Sequence, residues 1–87
     1  MKILAINDIL RKDVPIYYRR LYTGLASLEF TTKTTNCRID FSIEFKPTGE
    51  KLISVTYADQ IDYPLIPLTK ELKVFINELD LNGGLPD

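Results

Sequence analysis

The 87-residue chain has no histidine, no tryptophan, one cysteine and only 4 glycines. Without histidine, a Ser-His-Asp triad, a Cys-His pair, a histidine-ligated zinc and a charge switch near neutral pH are excluded within one chain. The lone Cys37 excludes an intrachain disulfide, a redox Cys-x-x-Cys and a four-thiolate metal site. A reducing, cytoplasmic setting fits such usage. Near the start, only Ile3 to Ile6 are consecutively apolar, too short a run for a signal-peptide core or a membrane span. No membrane association is therefore expected. Neither a phosphate-cradling glycine loop nor a nucleophile elbow occurs.

The carboxylates that remain offer little chemistry. Asp40 and Glu44 share one face of a predicted strand but lie about 13 Å apart along it, too far for one small divalent ion. Asp59 and Asp62 fall outside any twelve-residue calcium loop. Cys37 beside Arg38 reads as a small packing residue rather than a nucleophile. No catalytic, cofactor-binding or metal-ligating residue is assigned, and a non-catalytic protein is expected.

What is present is the composition of a folded globule, 45% hydrophobic and 26% charged, in a length that suits one domain over residues 1–87. From Cys37 to Phe45, Ile39, Phe41, Ile43 and Phe45 alternate with Arg38, Asp40, Ser42 and Glu44. That period of two predicts a strand with the apolar set in the core and the polar set in water. Lys46-Pro-Thr-Gly-Glu50 has hairpin-loop composition. Lys51 to Tyr57 is the predicted return, with Ile53, Val55 and Tyr57 inward and Leu52, Ser54 and Thr56 outward.

Upstream, Leu25 to Thr32 predicts a further strand with Ala26, Leu28 and Phe30 inward. Pro15 to Tyr22 fits an edge strand ending in a Thr23-Gly24 turn, although a helix opening at Pro15 is an alternative. Ile3 to Ile6 predicts a short strand and Asp8 to Lys12 a helical turn. At the C-terminus, Thr69 is a candidate N-cap, and Leu72, Phe75, Ile76 and Leu79 form one helical stripe before Gly83-Gly84 ends it. The expected fold is α+β: an antiparallel β-meander of about four strands with one C-terminal helix on one face, in two layers.

Two features carry binding logic. Ile61 to Leu68 is an unusually apolar connector held by Pro64 and Pro67; Leu65, Ile66 and Leu68 either close one end of the core or form an exposed docking patch. Together with the tyrosines of the predicted edge strand, it makes Tyr17, Tyr18, Tyr63, Pro64, Leu65, Ile66 and Pro67 the candidate protein-contact residues. The expected function is a small interaction or assembly module working through protein–protein contacts, with a protein partner or a second copy in a homodimer. The alternative is anion or nucleic-acid (RNA or DNA) binding through Arg19, Arg20 and Arg38. Residues 1 to 38 carry a net +4 and the remainder a net −5. Such a split either steers an anion to one side or is neutralised within the fold.

Overall fold

A computed structural model describes residues 1–87. Four strands, β1 (Lys2–Arg11), β2 (Arg19–Glu29), β3 (Thr34–Phe45) and β4 (Lys51–Tyr57), precede one helix, α1 (Leu65–Leu81). The sheet is antiparallel throughout and its spatial order follows the chain, β1-β2-β3-β4. The expected meander with a C-terminal helix on one face is what forms.

Alternation sets the two faces of the sheet. The register places Ile39 opposite Tyr57, Phe41 opposite Val55 and Ile43 opposite Ile53, as the pattern predicts. Against this inner face α1 lays Leu68, Leu72 and Ile76, all fully buried, with Phe75 and Leu79 beside them. Tyr22 stacks on Phe41 at 5.1 Å between ring centroids, an arrangement that contributes about 0.5–1.5 kcal/mol beyond area burial. Helix α1 is about 26 Å long and β3 about 40 Å. The molecule accordingly extends 43 × 24 × 24 Å, and the ends of the sheet project beyond the helix.

Several expectations are corrected. Residues 19–29 form one strand, so Thr23-Gly24 is not a turn and Leu25 does not open a separate element. Gly24 is there for close approach: a Cβ would lie 2.8 Å from Ile6 Cγ2 and 3.6 Å from Ile9 Cγ1. Opposite it, the register of β1 shifts between Asn7 and Leu10, and Asp8 has φ of 52°, the mark of a β-bulge. Bulging lets β1 run on through Arg11, so Asp8 to Lys12 is not a helical turn and Ile3 to Ile6 is only part of the strand. Pro15 to Tyr18 lie in the β1–β2 connection, outside any strand or helix, and β2 is an internal strand rather than an edge.

Helix α1 begins four residues earlier than the Thr69 cap implies, with Pro64 at the cap position and no side-chain cap. Proline at Pro67 is tolerated because the first helical turn has no intrahelical acceptor for its missing N–H. Thr69 Oγ1 instead shares a 2.6 Å hydrogen bond with the Tyr57 hydroxyl. At the other end Gly83, at φ of 72°, stops the helix as expected. Phe45 has the inward parity but sits past the helix and is exposed, with the Arg20 guanidinium 5.5 Å from its ring. Ser42 faces the outer side yet is buried, because Arg19 reaches across from β2 and its Nη2 donates to Ser42 Oγ at 3.3 Å.

Candidate functional site

The candidate protein-contact residues fall into two groups at opposite ends of the sheet. Tyr17 is fully exposed and Tyr18 largely so, and the Tyr18 carbonyl accepts the Phe45 N–H at 2.8 Å, at the C-terminal end of β3. Tyr63 is half-buried and packs at 5.3 Å against Phe30, which follows β2 at the far end. Beside it Pro64, Leu65, Ile66 and Pro67 are exposed on the first turn of α1, whereas Leu68 plugs the core. The apolar connector thus does both things its composition allows. One residue closes the core, and its neighbours remain in solvent.

The three arginines do not converge. Arg19 and Arg20 are adjacent on a strand and project to opposite faces. Arg20, on the helix side, donates from Nη2 to Asp80 Oδ1 at 2.9 Å, while Lys51 Nζ reaches Asp80 Oδ2 at 2.7 Å. This triad fastens the end of α1 to β2 and β4. Burial alone would raise the Asp80 pKa, but the hydrogen bonds from Lys51 and Arg20 outweigh it and hold the carboxyl below its ordinary value. Burial alone would likewise lower that of Arg20, and Asp80 with Tyr22 keeps it raised. Arg38 shares the outer face with Arg19 but stands about 20 Å along the strands from it. Its backbone N–H donates to Asp59 Oδ2 at 2.8 Å.

On the outer face Lys12, Arg19, Ser42, Ser54 and Thr56 border a shallow cleft with Asp40, which holds Lys12 at 3.7 Å. Arg19 Nε is buried there without a hydrogen-bond partner. Lys12–Asp40 and Arg20–Asp80 each join the basic first part of the chain to the acidic second part. The charge split is therefore partly neutralised inside the fold. Cys37 is buried, and burial first, then the charge of Asp59, pushes its thiol up, away from the reactive thiolate.

A family model matches residues 1–81, a span that takes in every strand and ends where α1 ends. The chain belongs to the BB_0187 family. No curated protein and no solved structure matches it. In this family member several apolar surface features stand unpartnered. A groove of about 410 Å³ runs between β1 and α1, lined by Met1, Ile3, Val74 and Phe75 and rimmed by Lys2, Lys70, Glu71 and Glu78. Val74 and Leu81 are exposed on the helix, and Leu52 on the outer face of β4. No helix of this family member is long and apolar enough to cross a membrane.

Sequence reasoning missed the Asp80 triad because its members come from residues 20, 51 and 80, with no shared local pattern. It also missed the open edge of β4, since strand order is not written in any one segment. Gly24 was the available signal for the β1 bulge: glycine inside a strand pattern marks a bulge or a close backbone approach.

Proposed function

We propose that this chain is a non-catalytic, cytoplasmic interaction module that acts through protein–protein contacts, with a second copy of itself as first partner. The observation that carries the reading is the open sheet. Both edge strands lack an outer neighbour, and α1 covers only one face. Exposed edges template pairing with another strand unless they are covered or blunted. Exposed apolar residues on the same framework, among them Leu52, Ile66, Val74 and Leu81, add surface that association would bury. The buried free thiol of Cys37 fits the compartment. Binding of RNA, DNA or a smaller anion through Arg19, Arg20 and Arg38 has less behind it, since Arg20 is committed to Asp80 and faces away from the other two.

Sedimentation equilibrium of the wild-type chain from low to high micromolar concentration tests the proposal. The weight-average mass is expected to rise toward twice the 10.0 kDa monomer. A constant monomer mass across that range, with no protein co-purifying from lysate, would remove its support.

A further inference from the structure

The two sheet edges are built differently. Along β1 the register shifts between Ile3 and Ala5 and again between Asn7 and Leu10, and Asp8 adopts a positive φ. Lys2, Asp8 and Arg11 add charge. Bulges and charges of this kind keep a foreign strand from pairing. In β4, by contrast, the ladder with β3 is unbroken from Lys51 to Tyr57, and the residues between these two include no charge, proline or glycine.

The backbone groups left free on β4 follow from its ladder. Ala58 N–H donates to the Arg38 carbonyl at 3.0 Å, and Lys46 N–H to the Glu50 carbonyl at 2.8 Å, at the two ends of the β3–β4 pairing. Hydrogen-bonded pairs alternate along an antiparallel ladder. Leu52, Ser54 and Thr56 therefore direct their backbone groups to β3, while Lys51, Ile53, Val55 and Tyr57 direct theirs to the open side.

We propose that two copies of the chain pair antiparallel through β4 about a two-fold axis at Ser54, joining both sheets into one. The proposal rests on the reading of the chain as a self-associating module and names its seam. About this axis Ile53 faces Val55 of the second copy and Lys51 faces Tyr57, so every outward N–H meets an outward carbonyl. On the helix side the facing pair is apolar with apolar, Ile53 with Val55. On the outer side Leu52 meets Thr56, and Ser54 meets its own counterpart. No like charges oppose one another, because Lys51 meets Tyr57 and Glu50 meets Ala58. A one-residue slip would set the inner apolar row against the outer polar row. Moving the axis to Val55 would set Lys51 against Asp59, which lies beyond the strand with its carboxylate turned back to the Arg38 N–H. The Ser54 register alone pairs all four outward residues within the strands. A single strand-to-strand seam is small by the standards of stable interfaces, so the dimer is reversible.

Ser54 is exposed, so its side chain can be changed without touching the core. In sedimentation experiments on the full chain, Ser54→Lys and Ser54→Asp each place like charges directly opposite on the axis and are expected to weaken the dimer at least about tenfold. A one-to-one mixture of the two variants should restore it, with far-UV circular dichroism matching wild type throughout. Ser54→Cys supplies the second measurement: facing residues in a non-hydrogen-bonded pair have Cα atoms about 4.5 Å apart, within disulfide range. Mild oxidation should cross-link Ser54→Cys, and should cross-link Leu52→Cys much less. A wild-type dimer that persists in Ser54→Lys, with no Ser54→Cys cross-link, overturns the β4 seam while leaving self-association standing. A wild type that stays monomeric and a Ser54→Cys variant that does not cross-link overturn both.

Discussion

Gly24 shows how much one missing side chain does in this protein. It occupies the inner face of β2 where the β1 bulge brings Ile6 and Ile9 down, and a methyl group there would stand 2.8 Å from Ile6 Cγ2. Gly24→Ala is expected to destabilise the fold by about 1–3 kcal/mol through overpacking. In an Ile6→Ala background the same change should cost clearly less, since the clashing atom is gone. A double-mutant cycle from urea unfolding reads that coupling directly. Ser42 carries a related lesson. Its alternation with Phe41 and Ile43 correctly assigns it to the outer face, but its burial arises from Arg19 on the neighbouring strand. Side-chain direction is local information, whereas cover depends on what lies alongside.

At the level of elements, α1 is held by two different kinds of contact. Leu68, Leu72 and Ile76 bury an apolar stripe that was legible from spacing, and Asp80 ties the last turn to Arg20 and Lys51. Removing the carboxylate leaves two cations without their partner in a partly buried setting. Asp80→Asn is expected to cost about 1–3 kcal/mol at neutral pH, less than a fully buried pair because all three side chains keep some solvent contact. The pH dependence has a definite sign. Asp80 has a folded-state pKa below its unfolded value of about 4. Its stabilising contribution is complete above that unfolded value and is lost as pH falls through it toward the folded one. Urea midpoints measured between pH 7 and pH 2 should therefore drop less steeply in Asp80→Asn than in wild type.

The start of α1 illustrates why boundaries are harder to read than cores. Thr69 has the chemistry of an N-cap, yet its hydroxyl is engaged by Tyr57 of β4 and the helix opens at Leu65. Pro64 and Pro67 suggest an extended connector when read alone. Both are compatible with a first helical turn, where missing backbone donors do no harm.

For the whole molecule, the governing fact is a four-stranded sheet with one covered face and two free edges, of which only β1 is blunted. If association occurs through β4, the folded state gains stability by mass action, since the unfolded chain has no strand to pair. The melting temperature of wild type should then climb with protein concentration, while that of Ser54→Lys should stay constant. Scanning calorimetry across a hundredfold dilution series checks this, and a wild-type melting point independent of concentration would count against a dimer of any geometry. The same large-scale view settles the candidate contact residues. Tyr17 and Tyr18 lie at one end of the sheet and Tyr63 to Pro67 at the other, so they cannot belong to one small patch.

The amino-acid order by itself determined the fold class, the β3–β4 hairpin with its register, and the apolar stripe of α1, because each of these follows from periodicity and turn chemistry within a short stretch of chain. It also determined which chemistries are missing, since the absence of histidine is independent of shape. Only the tertiary structure decided that residues 19–29 are one strand, that Arg19 and Arg20 serve different faces, that Asp80 gathers two cations, and that β4 presents an unbroken edge. Those outcomes depend on residues far apart in the chain meeting in space, and a local pattern carries no record of the neighbour that chain closure will bring.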